Sequence, residues 1–201
     1  MVPRALPQTA SRVAGDEWTD LDATGLEHAN VAFSDLDLCE GRLSASTFTD
    51  CTFSMSRFNC AELTDVAFVN CHFSGCSFFE TVFTRCKLVG SSFERCTFNL
   101  TEVVEGDWSF AALAGAELGD ASFTGTRMRE VDLTNANCAG AVLRDLDLSG
   151  AALDRTDLSR CDLRGSDLSA LDPRAVELKQ AIITPDQAII VALALGLDVR
   201  D

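Results

Sequence analysis

The chain is short of basic residues and of long apolar runs, and each shortage excludes a class of protein. Its 16 lysines and arginines are outnumbered by 31 aspartates and glutamates, which leaves 201 residues with a formal net charge of −15. Such an excess repels nucleic acid and anionic membranes and favours basic partners. No apolar run approaches the roughly 18 residues of a membrane span, and residues 1–15 lack the apolar core of a secretory signal. We therefore expect a cytoplasmic protein that binds neither nucleic acid nor membrane directly.

Patterns that carry chemistry are also scarce. The two histidines are His28 and His72, and the nine cysteines contain no C-x-x-C spacing. We find no glycine-rich phosphate loop and no nucleophile–histidine–acid set. The pattern predicts no catalytic residue, no metal site and no cofactor, so an enzyme is not expected.

A repeat of five residues dominates the chain. From Val31 to Ala170 the third residue of each of 28 successive pentads is apolar, beginning with Phe33, Leu38 and Leu43. The residue two places earlier is small in 26 of the 28, with Leu36 and Leu146 as the exceptions. Two inward positions around an outward one are typical of a strand, yet the pattern restarts every five residues. A chain that turns a corner at each restart, four times per coil, satisfies both requirements. The interior of the resulting four-sided solenoid is filled by these two positions.

Pentads such as ANCAG, TDLSR, CDLRG and SDLSA resemble the A(D/N)LXX consensus of the pentapeptide-repeat proteins. The resemblance covers about 70% of the chain and implies an all-β solenoid, a right-handed quadrilateral β-helix, with a short C-terminal α-helix. Seven coils at strand spacing make a rod roughly 34 Å tall. We divide the chain into a mobile N-terminal tail (residues 1–15), the β-helix (16–183, regular over 31–170) and a C-terminal helix and dimerisation tail (184–201).

The period of four pentads per coil predicts which side chains stack on neighbouring coils. Phe33, Phe53, Phe73 and Phe93 form one column that continues as leucine. Six cysteines occupy the small inward position: Cys51, Cys71, Cys76, Cys86, Cys96 and Cys161. Cys51 with Cys71 and Cys76 with Cys96 should stack within disulfide range, although reduced thiols filling the core are favoured in a cytosolic protein. The weakest segment is TEVVE-GDWSF, where bulky Trp108 predicts a local bulge or a partly exposed indole.

A helix follows the repeat. Thr184, Pro185 and Gln187 form a capping box with proline at the first helical position, and Gly196 is well placed to end the helix. The segment 188–195 is entirely apolar, so it must be buried on both sides. One side can close the end of the solenoid, and the other predicts a two-fold dimer in preference to a helix that caps a monomer. The interface residues are Ile189, Ile190, Leu193, Leu195, Leu197 and Val199.

Charge on the outward positions is uneven. The side that begins with Leu38 carries six acids opposed only by Arg57 and Arg160. We predict that these acids bind a partner: Asp37, Glu40, Glu80, Glu117, Asp120 and Asp157. The next side carries a second acidic set diluted by four arginines. A narrow rod with carboxylates in place of phosphates can compete for a protein surface that binds DNA by its charge.

The ending LDPRAVELKQAIITPDQAIIVALALGLDV resembles that of the Qnr and MfpA-type proteins, a subgroup of this family. The resemblance implies a dimeric DNA mimic that binds the type II topoisomerases DNA gyrase and topoisomerase IV, protecting them from quinolones or other poisons or inhibiting them. Many Qnr proteins carry projecting loops, and this chain, with none between Val31 and Ala170, is closer to the loopless MfpA type. The alternative is a generic interaction scaffold with another partner, reached through the Trp108 region.

Overall fold

The computed structural model describes residues 6–15, 18–19 and 21–200. The described chain forms a β-solenoid of parallel strands followed by one helix, α1 (Pro185–Ala194). This confirms the predicted all-β solenoid with a short C-terminal helix. Its strands are β1 Ser11–Ala14, β2 Asp22–Thr24, β3 Glu27–Ala29, β4 Val31–Ser34, β5 Arg42–Ser44, β6 Thr47–Thr49, β7 Thr52–Ser54, β8 Glu62–Thr64, β9 Ala67–Val69, β10 His72–Ser74, β11 Val82–Thr84, β12 Ser92–Glu94, β13 Glu102–Val104, β14 Ser122–Thr124 and β15 Val142–Arg144.

The four sides of the solenoid differ in regularity. We call them the first, second, third and fourth faces, beginning with Phe33, Leu38, Leu43 and Phe48. The first carries the sheet β1-β4-β7-β10-β12, the third β15-β14-β13-β11-β8-β5-β2, and the fourth β3-β6-β9. The second face, among the described residues, is joined by isolated bridges such as Asp37 to Arg57. Every pair is parallel and offset by four pentads, as the period of the sequence requires.

Part of the predicted mobile tail belongs to the solenoid. Ser11–Ala14 pairs with Val31–Ser34, and Val13 packs against the core. The five-residue frame therefore extends back to β1, because Val13 lies four pentads before Phe33 and continues its column. The first five positions of that predicted tail lie outside the described residues.

A left-handed backbone at every fifth residue turns the corners. From Gly25 to Gly165 every fifth residue except Asp120 has positive φ, as Glu40 does at 59°. In many pentads this residue is the third of a type II turn, as in residues 38–41, where the Gly41 N–H donates to the Leu38 carbonyl at 3.2 Å. Glycine and asparagine adopt this left-handed conformation readily, whereas other residue types adopt it at a cost of about 1–2 kcal/mol per residue. The ladder bonds to neighbouring coils and the buried core offset this strain.

Stacked rings fill the N-terminal half of the core. Phe53, Phe73 and Phe93 stack with centroids 4.9 and 5.0 Å apart and planes within 8°, which confirms the predicted column. His28 extends the column of the fourth face and stacks on Phe48 at 5.4 Å. Burying each such ring contributes about 1.5–3 kcal/mol.

Trp108 is fully buried, so the expected exposed indole is wrong. Its ring stacks on Phe93 and meets Phe83 and Phe123 edge-on. The space comes from Gly106, the small inward residue of the same pentad, whose φ of +91° departs from the regular pattern. The indole Nε1 is buried without a hydrogen-bond partner in the part of the chain described.

The wall of the solenoid is interrupted at one level of the second face. In the coils on either side, the backbone ladder of this face is complete. The Phe78 N–H donates to the Thr97 carbonyl at 2.9 Å, and the Leu118 N–H donates to the Asn137 carbonyl at 2.7 Å. Between segments 95–100 and 114–120, four successive ladder bonds are missing among the described residues: those from the N–H groups of Arg95, Phe98, Leu100 and Glu117. We call this boundary the seam.

The seam coincides with a change in the core. Phe93 and Phe98 are the last rings of their columns, and Leu113 and Leu118 lie in the next coil. Asp120, the one corner in this range without positive φ, lies on the same edge.

Candidate partner-binding surface

Ion pairs that run up and down the solenoid neutralise most of its arginines. Arg42 pairs with Glu62, Arg85 with Asp65 and Arg127 with Asp107, each across four pentads and so between stacked coils. The bonds are 2.7–3.2 Å long and solvent-exposed, where an ion pair contributes at most about 1 kcal/mol. Their main effect is on charge, because they remove positive side chains and leave other carboxylates uncompensated.

The six predicted partner-binding acids lie on the second face as expected, but they are not equivalent. Asp37 is mostly covered: the Cys39 N–H donates to its carboxylate at 3.2 Å, and Arg57 pairs with it. The neighbouring Cys39 thiol above all, together with these contacts, lowers the pKa of Asp37. Asp157 accepts the Ser159 N–H at 2.8 Å, and the Ser159 hydrogen bonds lower its pKa. Both carboxylates therefore serve the local turn as well as the surface charge.

The other four acids are exposed, and among the described residues none has a salt-bridge partner: Glu40, Glu80, Glu117 and Asp120. Glu117 accepts the Asn137 amide at 2.7 Å, and Asp120 accepts that of Asn99 at 3.5 Å across the seam. Glu102, exposed and likewise unpaired, lies around the corner at the start of the third face. We call these five residues the acidic edge.

Apolar side chains interrupt the acidic edge, which inspection of charge alone missed. Leu100 is 54% exposed and occupies the corner column between Glu80 and Asp120. Phe79, which is 40% exposed, precedes Glu80. The signal was available in the sequence, because Phe79 and Leu100 fall on outward positions of their pentads. An acidic rim around exposed apolar groups is suited to binding a basic protein surface.

The predicted interface residues of the C-terminal segment are exposed together. Ile189, Ile190, Leu193, Leu195, Leu197 and Val199 are between 38% and 58% exposed. The opposite side of α1 closes the solenoid: Val191 packs against the core, and the buried Gln187 amide donates to the carbonyls of Leu163 at 2.7 Å and Ser166 at 2.8 Å. The single helix thus satisfies the last coil on one side and presents an apolar surface on the other.

Both ends of α1 are capped. The Thr184 side chain accepts the Gln187 N–H, and the Gln187 side chain accepts the Thr184 N–H at 2.8 Å, which confirms the predicted capping box. The helix ends before Gly196, whose φ is +85°. Arg174 donates to the Leu195 carbonyl at 2.7 Å, where a cation also suits the helix dipole.

Within the described residues, no helix is long and apolar enough to cross a membrane. No group of three or more histidine, cysteine or acidic side chains there is arranged to hold a metal ion. All nine cysteines are free thiols.

The fold and surface define a rod-like β-solenoid that presents side chains on four flat faces. A family model described as pentapeptide repeats matches the chain in eight copies, over residues 61–99, 109–137 and 132–169. The chain therefore belongs to the pentapeptide-repeat family, which confirms the resemblance of its pentads.

Two solved structures of QnrB1, a plasmid-mediated fluoroquinolone resistance protein, are similar to this chain. One trypsin-treated form is 22% identical, with a TM-score of 0.51 over 96% of this chain and 100% of the other. A second is 21% identical, with a TM-score of 0.50 over 89% of this chain and 100% of the other. At this identity the likeness concerns the fold. No curated protein matches the sequence.

Proposed function

We propose that the protein is a non-enzymatic DNA mimic that binds a type II topoisomerase, DNA gyrase or topoisomerase IV, through its acidic edge. The observation that carries the proposal is the set of exposed, unpaired carboxylates along one edge of a rigid rod. Bound there, the rod would occupy part of the DNA-binding surface. It would thereby protect the enzyme from quinolones or other poisons, or inhibit it. The fold shared with QnrB1, a fluoroquinolone resistance protein, supports this choice of partner.

The charge density of the rod supports mimicry of DNA in part. Residues 31–170 contain 21 acidic and 11 basic side chains, a net charge of −10. Over roughly 34 Å this is about one net charge per 3.4 Å, against about one per 1.7 Å in duplex DNA. The average is thus half that of DNA. Because Arg42, Arg57 and Arg85 are paired with acids, the charge available to a partner is carried by the unpaired carboxylates of the acidic edge.

We further propose that the protein is a homodimer joined through the outward side of α1 and the tail that follows. Six apolar side chains gathered at one end of the rod favour a partner of the same kind, and a two-fold axis lets the same patch cover itself. Such a dimer would place two acidic rods end to end and lengthen the surface that replaces DNA.

Supercoiling by gyrase, and quinolone-induced DNA cleavage by gyrase, should both be measured with increasing protein at low salt. We expect a dose-dependent change in at least one. The test variant Glu80→Gln/Asp120→Asn removes two charges from corner positions of the acidic edge. Its matched control, Asp50→Asn/Glu130→Gln, removes the same two residue types from corners of the fourth face. The first should weaken binding about two- to tenfold and flatten its salt dependence, and the second should not.

An inert wild type in both assays at micromolar concentration would refute topoisomerase binding and favour the alternative of a scaffold for another protein. Equal loss in the two variants would instead mean that binding depends on total charge, and the acidic edge would lose its special role. The buried Trp108 ring offers no contact surface to either partner.

Sedimentation tests the interface separately. The variant Ile190→Asp/Leu193→Asp should sediment as a monomer. Met55→Asp/Leu100→Asp, which places the same charges on exposed apolar positions of the rod, should remain dimeric. A dimer that survives the first change contradicts this interface.

A further inference from the structure

Two pairs of thiols stack in the core. Cys51 with Cys71, and Cys76 with Cys96, occupy the same small inward position of adjacent coils. Each thiol donates to backbone carbonyls, as Cys76 does to Phe53 at 3.5 Å and Cys96 to Phe73 at 3.6 Å. Coils about 4.8 Å apart bring the Cα atoms of each pair into the 4.4–6.8 Å range of a disulfide. Each pair can therefore be oxidised without a large backbone movement.

Access distinguishes the two pairs. Cys51 and Cys71 are both buried, and so is Cys76. Cys96 is partly exposed, because the seam opens beside it: Thr97 N–H closes the wall over Cys76 by donating to its carbonyl at 3.1 Å, whereas the equivalent bond from Glu117 to Cys96 is one of the four that are missing. A small reagent can reach Cys96 in the folded protein. The buried thiols require a coil to open first.

Proximity within each pair favours reaction at one of its two thiols. The neighbouring Cys76 thiol lowers the pKa of Cys96, and the neighbouring Cys96 thiol together with burial raises the pKa of Cys76. In the other pair the Cys71 thiol lowers the pKa of Cys51 to about 7. A thiolate is the reactive species. Since both pairs contain an activated thiol, the opening of the wall decides which one reacts.

We propose that Cys96 is a peroxide-reactive thiol reached through the seam, and that Cys76 is its resolving partner. The Cys96 thiolate attacks one oxygen of hydrogen peroxide, which breaks the O–O bond, gives a sulfenic acid and, with one proton, releases water. The Cys76 sulfur then attacks the Cys96 sulfur and displaces a second water. Overall, two thiols and one peroxide become one disulfide and two waters. The new bond joins two adjacent coils on the core side of the acidic edge.

The products can be distinguished by tryptic mapping. The variant Cys39→Ser/Cys60→Ser removes the two other thiols with any exposure. After mild peroxide treatment of this folded protein, alkylation and digestion, we expect a loss of two hydrogens and a link between peptides 58–85 and 96–127. Oxidation of the buried pair, Cys51 with Cys71, would instead link peptides 43–57 and 58–85. We expect this second link to form at least about tenfold more slowly. Equal rates, or a faster link to 43–57, would overturn the proposal.

Two substitutions in the same background assign the roles. Cys96→Ser should abolish the cross-link, and Cys76→Ser should stop the reaction at a sulfenic acid on Cys96 that a 1,3-diketone probe captures. Cys71→Ser, the matched control from the buried pair of Cys51 and Cys71, should leave the link between peptides 58–85 and 96–127 unchanged. If a variant does not fold, brief iodoacetamide labelling of the wild type tests the same point, because it compares the rates at which individual cysteines react. Labelling of Cys51 as fast as Cys96 would refute the role of the seam.

Discussion

Replacing Gly106 by alanine should destabilise the protein by about 3 kcal/mol. A Cβ at this position would lie 2.1 Å from the carbonyl oxygen and 2.8 Å from the nitrogen of Cys86. Those backbone atoms cannot move aside freely, because the Cys86 carbonyl accepts the Asp107 N–H at 2.9 Å in the ladder. Overpacking of this kind costs about 1–3 kcal/mol. The positive φ adds about 1–2 kcal/mol to this destabilisation. Alanine also restricts the unfolded chain, which offsets about 0.4–1 kcal/mol of the loss.

Gly115→Ala is the matched control for Gly106→Ala. Its φ is +69°, but a Cβ there would meet no atom within 4 Å. It retains the backbone strain without the clash, so we expect a loss of about 1 kcal/mol or less. Urea unfolding followed by circular dichroism and by the fluorescence of buried Trp108 measures both variants. Equal losses would show that backbone conformation alone, and not contact with Cys86, requires glycine at this position.

Three further predictions concern the core, the cap and acid stability. Phe73→Ala should lower the free energy of unfolding by about 3–5 kcal/mol, because the ring is fully buried in a continuous stack. A loss below about 1 kcal/mol in urea unfolding would contradict the stacking. Gln187→Leu should cost about 1–3 kcal/mol and speed hydrogen exchange in α1, because two buried carbonyls lose their donor; unchanged exchange would mean that Gln187 does not hold the helix. Stability should also fall at low pH. The carboxylates with lowered pKa contribute stability above their unfolded value near 3.8, which is lost as pH falls through the lower folded values; a urea midpoint constant between about pH 5 and 2 would argue against them. They are Asp37, Asp65, Asp107, Asp147, Asp157 and Asp162.

The core could be predicted residue by residue because its pattern is local. Each pentad repeats the same inward positions, so the column from Phe33 to Phe93 and the stacked pairs of cysteines follow from counting four pentads at a time. The α1 helix was equally accessible, since Thr184, Pro185 and Gly196 act within a few residues of the chain. The strand at Ser11–Ala14 was missed because the frame between it and Val31 is imperfect, with His28 in a central position, although Ser11 and Val13 themselves fit the inward positions.

Features that depend on contact between coils could not be predicted in the same way. The pairing of Arg57 with Asp37 separates that carboxylate from the exposed ones, although both kinds occupy equivalent positions in the sequence. The burial of Trp108 depends on space left by Gly106 and by the rings around it. In these cases the outcome depends on neighbours in other coils, which the local pattern does not specify.

The amino-acid sequence by itself determined the solenoid, its inward columns and the acidic sign of its surface. These features follow from a period that is repeated in every pentad and that is stabilised by burial of the inward apolar side chains. Only the tertiary structure decided which carboxylates stay unpaired and where the wall opens beside Cys96. Ion pairing and coil spacing are set by the volumes and reach of side chains on adjacent coils, and a five-residue pattern does not encode them.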